Sequence, residues 1–355
     1  MTRVVHLITA DRIAGGMESF LARLAPALGR AGLEQLAITR RGSELAEWLR
    51  REGVRVAQYA LEKRNLPSWW GVRQTVGGFR PQIVLSWLPR AAQRVPPGPW
   101  VHVAQVGWYR GLDCYERVDR MVVPSPDMVR HFKEVGFRGD ITVLPHFAAN
   151  SQLPPVARDA FDTPPDAPVV LGMGRFDRSK GFDLAVRACA AVPHAYLWLA
   201  GEGEEEPELR RLAAAAGVAD RIRFLGWRTD TSALLGRAAA LVVPSRWQEA
   251  LGLVVLEAWS AGVPVVSTDT PGPRYLMAES GSGILVPIDD AAALAGALRR
   301  VLEDRALAAR LSAKGTERLA SGFTEAATVA AYLDYFARVA GAAAGRSLGA
   351  AGKAR

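Results

Sequence analysis

Short runs of apolar, β-branched residues alternate with amphipathic helical segments along the whole chain. In the first half, runs such as Val4–Ala10, Ile83–Trp87 and Met121–Ser125 are apolar throughout rather than at every second position. That pattern is typical of parallel strands buried on both faces. Between the first two strands, Phe20 and Leu24 belong to an apolar stripe with helical spacing. The alternation predicts an α/β fold of doubly wound parallel sheets with helices on both faces.

One proline-rich stretch interrupts this alternation. Residues 148–168 contain five prolines and no periodicity, which is typical of an interdomain linker. We therefore predict two Rossmann-like domains, at 1–150 and 169–323, joined by a linker at 151–168. Two such domains would leave a ligand cleft at the carboxyl ends of their strands. We also expect a late amphipathic helix at 324–340 that packs back on the first domain, and a disordered tail at 341–355.

The net charge of +8 lies entirely in the first half of the chain. Residues 1–160 hold 22 Lys and Arg against 14 Asp and Glu, whereas residues 161–355 hold 22 of each. A basic half indicates an anionic partner, such as a membrane surface or an acidic substrate. The alternative is an ordinary solvated surface. No nucleic-acid-binding motif accompanies the charge, so we expect no nucleic-acid partner. If the partner is a membrane, the adjacent Trp69 and Trp70 are candidate interfacial anchors, unless both pack in the core.

The sequence also indicates a cytoplasmic protein. Two cysteines, Cys114 and Cys189, fit a reducing compartment and cannot form a zinc site alone. The run Val4–Ala10 meets Asp11 and Arg12 at once, whereas a secretory signal needs roughly 7–15 clean apolar residues and a cleavage site. No stretch approaches the ~20 apolar residues of a membrane-spanning helix. Any membrane contact is therefore expected to be peripheral, on the inner face of the plasma membrane.

Two glycine-containing turns follow predicted strands. Gly15 and Gly16 lie between the first strand and the first helix, where a backbone can approach an anionic ligand, or where a tight turn needs glycine. Gly174 follows the first strand of the second domain, but a third glycine of the dinucleotide fingerprint is absent, which disfavours a dehydrogenase. Arg175 and Lys180 come next. Two fixed positive charges at this edge suit a leaving diphosphate, unless they are merely solvated.

A second cluster surrounds a predicted helix start at Gly252. The backbone amides of Leu253 and Val254 open this helix and can hold a phosphate. Glu257, about one turn inside, can accept hydrogen bonds from vicinal hydroxyls such as those of a ribose. Glu249 precedes the helix and can face a reacting sugar. Capping and surface carboxylates are the structural alternative.

These residues resemble the retaining GT-B glycosyltransferases of family four, and the narrower likeness is to bacterial enzymes of lipopolysaccharide and exopolysaccharide biosynthesis. The resemblance runs from Val4 to about Val339, and the E-x7-E spacing of Glu249 and Glu257 is its most specific part. The matching segments are GGME at 15–18, GRFDRSKGFD at 174–183, LAGEGEE at 199–205, FLGW at 224–227, VPSRWQEALGLVVLEAWSAGVPVVST at 243–268 and GILVP at 283–287.

The resemblance implies a role for each matching residue. Arg175 and Lys180 would neutralise the departing nucleoside diphosphate, and Glu249 would face the donor sugar. The implied donor-binding residues are Gly15, Gly16, Gly174, Gly226, Gly252, Leu253, Val254 and Glu257, with backbone groups near Gly226 reading the base. Many members place a histidine beside the donor sugar where this chain has Gln105, which can donate a hydrogen bond but cannot act as a base. The chain contains no D-x-D pair, so we expect no metal and no cofactor.

Together these features predict a retaining hexosyltransferase. It would take a nucleoside diphosphate sugar as donor and a cell-envelope glycan or lipid-linked saccharide as acceptor, bound by the first domain. Two alternatives stay open: a catalytically weak nucleotide-sugar-binding protein, which the Gln105 substitution suggests, and a transferase with a small soluble acceptor.

Overall fold

The computed structural model describes residues 2–13, 15–61, 66–148, 153–157, 159–247 and 249–352. The chain divides into two compact units. Unit 1 comprises residues 1–147 and 324–355, and unit 2 comprises residues 148–323. Within the described ranges, no helix is both long enough and apolar enough to cross a membrane.

Unit 1 is built on a seven-stranded sheet in the order β3-β2-β1-β4-β5-β6-β7, and all its pairings are parallel. Its strands are β1 (Arg3–Ile8), β2 (Glu34–Arg40), β3 (Arg55–Tyr59), β4 (Ile83–Trp87), β5 (Val101–Gln105), β6 (Arg120–Val123) and β7 (Asp140–Val143). Its helices are α1 (Gly16–Arg30), α2 (Glu44–Arg51), α3 (Leu66–Phe79), α4 (Pro89–Ala92), α5 (Pro126–Glu134) and α13 (Glu325–Gly352). The continuous apolar runs form these strands because helices cover both faces of the sheet.

Helix α13 belongs to unit 1, although unit 2 precedes it in the sequence. It contacts α1, β4 and β5, and it buries Tyr332, Phe336 and Val339. The helix continues through Gly352, whereas the sequence predicted a disordered tail from residue 341. An alanine-rich segment that follows a packed helix extends it readily, because alanine has the highest helix propensity and no new nucleation is needed. The end of the predicted tail, 353–355, lies outside the described residues.

Unit 2 is built on a six-stranded parallel sheet in the order β10-β9-β8-β11-β12-β13. Its strands are β8 (Val169–Met173), β9 (Tyr196–Ala200), β10 (Ile222–Phe224), β11 (Ala240–Val243), β12 (Val265–Thr268) and β13 (Ile284–Val286). Its α-helices are α6 (Phe182–Ala190), α7 (Glu206–Ala215), α8 (Thr231–Leu235), α9 (Leu253–Ser260), α10 (Pro271–Met277), α11 (Ala291–Glu303) and α12 (Arg305–Ala320). Short 3-10 turns cover Ala160–Asp162, Arg178–Lys180 and Ala219–Arg221.

Successive residues of β8 face opposite sides of this sheet. Val170 lies in a core with α6, α7 and α11, whereas Leu171 lies in a second core with α8, α9 and α10. The apolar runs of the sequence therefore supply two cores at once. Helices α8 and α9 therefore lie on the same face of the sheet.

Part of the predicted linker packs on unit 2. Phe161 meets Trp198 edge to face at 5.0 Å, and the indole N–H of Trp198 donates to Thr163 Oγ1 at 2.9 Å. Arg223 donates to the carbonyl oxygens of Phe161 and Asp162 at 2.5 Å each. The proline-rich segment has no helical or strand periodicity. Its Phe161 is nevertheless partly buried against the core of unit 2 that contains Trp198.

His6, on the central strand of unit 1, is buried in a fixed neutral tautomer. The indole N–H of Trp87 donates to His6 Nδ1 at 3.2 Å, so the imidazole proton is on Nε2, 3.0 Å from Gln35 Oε1. Burial lowers the pKa of His6 to about 4, although the hydrogen bond to Gln35 opposes this shift. Protonation would place two donors face to face at Nδ1.

We predict that acid destabilises the chain through this histidine. Because the pKa of His6 is lower in the folded state, its contribution is present above the unfolded pKa of about 6.5 and is lost as the pH falls towards 4. The expected loss from this group between pH 7 and pH 5 is about 2 kcal/mol. Urea denaturation of His6→Gln should show a pH dependence weaker by that amount. The exposed His194 provides a control: His194→Gln should behave like wild type, and equal slopes for all three proteins would contradict the assignment.

Candidate functional site

The predicted site residues of unit 2 lie at the carboxyl ends of its strands. Lys180 ends a 3-10 turn after β8, and Glu249 lies in the loop between β11 and α9. Lys180 Nζ lies 2.5 Å from Glu249 Oε2, and both side chains are mostly buried, with 30% and 18% of their surface exposed. Ser245 Oγ donates to the same oxygen at 3.3 Å. The structure therefore joins two predicted residues as a charge-assisted pair that Ser245 supports.

Backbone contacts hold the two loops of this pair together. The amide of Arg246 donates to Ser179 O at 2.8 Å, next to Lys180. Gly181 has φ of +64°, and a Cβ at that position would lie 2.2 Å from Pro244 O. Only glycine permits such a close approach in the left-handed region. The loop that carries Lys180 and the loop that carries Glu249 therefore act as one rigid element.

The side chain of Arg246 binds two further carboxylates next to these loops. Its Nη2 lies 2.5 Å from Asp183 Oδ2, Nη1 binds the other oxygen of Asp183, and Nε lies 2.5 Å from Asp289 Oδ1. Burial alone would raise the pKa of Asp183, but hydrogen bonds from Arg246 outweigh it and hold that pKa below its usual value. Sequence reasoning missed Ser245, Arg246 and Asp183. Their only signal was their place inside the two motifs, because nothing in the spacing shows that α6 meets the β11–α9 loop.

Arg175 is placed differently from Lys180. Its guanidinium Nη2 lies 3.1 Å from Asp177 Oδ2, and 60% of its side chain is exposed. Asp177 also caps the 3-10 turn, because its Oδ1 accepts the Ser179 amide at 2.9 Å. Arg175 is therefore an exposed cation at the rim of the site, whereas Lys180 is a shielded one.

The start of α9 has the geometry of an anion-binding helix end. Gly252 is the N-cap, with φ of +85° and ψ of +68°, and it carries no side chain that could cap the first turn. The half-buried Leu253 and Val254 open the helix, and Glu257 lies half-buried one turn later. Amides of a first helical turn have no intrahelical acceptor, and the helix dipole adds positive potential there.

The loops after β8, β9 and β10 run side by side. The amide of Gly174 donates to Ala200 O at 3.0 Å, and the amide of Gly201 donates to Gly226 O at 2.8 Å. A Cβ at Gly201 would lie 1.8 Å from Gly174 O, so no side chain fits there. Trp227, next to Gly226, donates its amide to Glu202 Oε1 at 3.2 Å. Gly174, Gly226 and Gly252 thus all lie on one edge of the sheet, as predicted, whereas their ligand contacts remain a prediction.

The remaining predicted residues belong to unit 1. Gly15 is the extended N-cap of α1 and Gly16 is its exposed first residue. Gln105 ends β5 but is only 1% exposed. Its Oε1 accepts the hydroxyl of Tyr332 at 2.8 Å, and its Nε2 lies 3.4 Å from His146 Nε2. The expectation that Gln105 contacts a sugar is therefore corrected, because α13 covers it and Tyr332 occupies its carbonyl oxygen.

Both halves of the chain match known glycosyltransferase families. Residues 155–318 match the family "Glycosyl transferases group 1", and residues 14–148 match "Glycosyltransferase Family 4". The lipopolysaccharide core biosynthesis glycosyltransferase LpsD of Rhizobium meliloti (strain 1021) is 36% identical over 91% of this chain and 95% of its own length. LpsE of the same organism is 35% identical over 91% of this chain and 96% of its own length.

Solved structures show the same fold at low sequence identity. Anabaena HepE in complex with UDP and glucose has a TM-score of 0.84 at 18% identity, over 95% of this chain and 100% of that one. Sucrose-phosphate synthase from Thermosynechococcus elongatus has a TM-score of 0.79 at 24% identity, over 96% of this chain and 100% of that one. The predicted α/β fold of the GT-B type is confirmed. The chain belongs to glycosyltransferase family 4, with a group 1 domain in unit 2, and it is a glycosyltransferase.

Proposed function

We propose that this glycosyltransferase is a retaining, metal-independent hexosyltransferase that uses a nucleoside diphosphate sugar in cell-envelope polysaccharide synthesis. The observation that carries the proposal is the shielded Lys180–Glu249 pair at the carboxyl edge of unit 2. Glu249 of this pair lies in the loop between β11 and α9, and the start of α9 can hold a phosphate. HepE, which has the same fold, was solved with UDP and with UDP-glucose, which supports a nucleotide-sugar donor here.

The donor would lie along the edge that the three glycine loops form. Its diphosphate would meet the amides of Leu253 and Val254, with Lys180 and Arg175 as cations. Glu257 would accept from the ribose hydroxyls. The loop after β10 leads to α8, which shares one core with α9. Backbone groups near Gly226 in this loop would meet the base.

Catalysis would proceed by loss of the diphosphate. As the bond from the anomeric carbon to the phosphate oxygen breaks, negative charge grows on that oxygen, and Lys180 and Arg175 stabilise it. The acceptor hydroxyl would attack from the same face and give its proton to the departing phosphate, which retains the configuration. Glu249 would orient the hexose through its hydroxyls. These fixed cations supply the charge that a divalent metal supplies in other transferases, so no metal is required.

The acceptor would be a saccharide of the lipopolysaccharide core or a similar envelope glycan. Two relatives that match nearly the whole chain are named for lipopolysaccharide core biosynthesis. Such acceptors are carried on lipid, so the enzyme would work in the cytoplasm at the inner face of the plasma membrane. A transferase with a small soluble acceptor would instead be indifferent to vesicles.

The membrane contact would lie in a basic stretch of unit 1. Residues 63–112 contain seven Lys and Arg and no Asp or Glu. Within this stretch, 67% of Trp70 on α3 is exposed, whereas Trp69 packs against the apolar core with Arg94 5.1 Å above its ring. Only one of the two candidate anchors is therefore accessible. Basic residues near an anionic surface contribute about 1 kcal/mol each.

The donor is the first property to test. We predict that one nucleoside diphosphate among UDP, GDP, ADP and dTDP, and not CMP, raises the thermal unfolding midpoint, and that the shift persists in EDTA. A ligand at one hundred times its dissociation constant stabilises the native state by about 2.7 kcal/mol. A shift that EDTA abolishes would contradict metal independence. No shift with any nucleotide would contradict the proposed function.

We predict that Lys180→Ala lowers kcat about 100- to 1,000-fold, because one oriented cation at the leaving oxygen is lost. Nucleotide release in the presence of donor and a lipopolysaccharide core acceptor measures this. Arg178→Ala is the matched control, since Arg178 is an exposed cation in the same 3-10 turn. A loss of activity in proportion to a loss of folding stability would instead make Lys180 structural.

We predict that Trp70→Ala reduces binding to vesicles of anionic phospholipid about tenfold, through loss of an interfacial indole. Cosedimentation with vesicles measures this, and the affinity of wild type should fall as salt is raised. Trp48→Ala, which removes another exposed indole of unit 1, is the control. Equal binding by Trp70→Ala and wild type would place the membrane contact elsewhere.

A further inference from the structure

The loop that follows β5 presents two side chains to solvent at the carboxyl edge of the unit 1 sheet. Along residues 107–110, burial alternates: Trp108, with 37% of its surface exposed, and Arg110 face outward, whereas Gly107 and Tyr109 face the protein. This is the edge at which doubly wound sheets bind ligands. The proposed donor contacts use neither of these two residues, and Arg110 is the last basic residue of the stretch 63–112.

Polar contacts fix this loop from beneath. The hydroxyl of Tyr109 donates to Asp127 Oδ2 at 2.8 Å, and its ring meets His131 edge to face at 5.1 Å. His131 Nε2 lies 3.1 Å from the carbonyl oxygen of Arg110. Burial and the hydrogen bond to Asp127 raise the pKa of Tyr109, so its hydroxyl stays protonated as the donor. The outward side chains are therefore held on a preorganised backbone.

The same loop adjoins the glycine turn of α1. A Cβ at Gly107 would lie 2.5 Å from Met17 Sδ, and the buried Met17 directly follows Gly16. Gly15 and Gly16 are donor-binding residues that the family resemblance implies for unit 1. A ligand on Trp108 and Arg110 would thus lie beside that turn.

Arg110 has an uncompensated charge in this setting. The carboxylate of Asp127, which holds Tyr109 beneath this loop, has both oxygens occupied, one by Tyr109 and the other by Arg130. Within the described part of the chain, no carboxylate forms an ion pair with Arg110. A guanidinium of this kind binds a phosphate or carboxylate through two parallel hydrogen bonds.

We propose that Trp108 and Arg110 form an acceptor subsite for an anionic sugar, one that carries a phosphate or a carboxylate. The indole would stack on the C–H face of the sugar ring, and the guanidinium would bind its anionic group. The two residues are two positions apart in one short loop, so a single sugar could contact both. The proposal rests on the proposed function and adds the chemical class of the acceptor.

Binding of simple sugars to the full chain tests this proposal. With the nucleoside diphosphate from the thermal screen present at saturation, to occupy unit 2, saturation-transfer NMR would compare mannose, mannose 6-phosphate, glucuronate and inorganic phosphate. We expect at least one of the two anionic sugars to bind about tenfold more tightly than mannose, and more tightly than inorganic phosphate. Preference for only one of them would identify the anion as phosphate or carboxylate.

Two variants separate the contribution of Arg110 from that of Trp108. Arg110→Gln should remove the preference for the anionic sugar and leave mannose binding unchanged, whereas Trp108→Ala should weaken all three sugars. Arg51→Gln, which changes an exposed arginine at the end of α2, and Trp48→Ala are the matched controls and should bind like wild type. Unchanged nucleotide affinity in all four variants would show that they fold.

The outcomes separate this proposal from the one on which it rests. A wild-type protein that binds a nucleoside diphosphate, yet binds mannose 6-phosphate and glucuronate no better than mannose, would overturn the subsite alone. Inorganic phosphate bound as tightly as the anionic sugar would overturn the role of Trp108. A wild-type protein that binds no nucleoside diphosphate would overturn the proposed function first.

Discussion

The ion pair between Lys180 and Glu249 is the contact around which the candidate site of unit 2 is built. Its partners are 69 residues apart, and each lies in a loop that would be mobile alone. Arg246, Gly181 and the Ser179 carbonyl oxygen join those loops into one body. In the proposed reaction Lys180 would meet the leaving oxygen, and such support would matter there because misplacement by about 1 Å can cost a hundredfold in rate.

Lys180 and Arg175 are two cations of the same motif that lie in different surroundings. Lys180 is shielded and held by a carboxylate, so its position is defined before any ligand arrives. Arg175 is exposed at the rim beside Asp177, and its interaction energy with an anion is reduced by solvent. In the proposed reaction, Lys180 would therefore carry the larger share of the charge stabilisation and Arg175 the capture of the diphosphate. The sequence motif presented the two as equivalents.

The periodicity of the sequence was enough to predict most of the fold. Continuous apolar runs such as Ile83–Trp87 became parallel strands, and the proline-rich stretch lies close to the division between the units. The misjudged features depended on contacts distant in sequence. Gln105 looked like a ligand-facing residue, because Tyr332, which occupies its oxygen, is 227 residues away. Arg246 gave no signal beyond its place in a motif, because its contacts arise only when α6 is placed against the β11–α9 loop.

Helix α13 has a consequence for how the chain folds during synthesis. Unit 1 begins with the first strand but receives Tyr332, Phe336 and Val339 only after all of unit 2 has been made. Until then Gln105, His146 and the apolar residues of β4 and β5 lack their cover, and uncovered apolar surface promotes aggregation. Unit 2 is contiguous and can fold while the first unit is still unfinished. A nascent chain arrested before residue 324 would therefore expose the surface of β4 and β5 that α13 covers, so a helix made after unit 2 protects strands made before it.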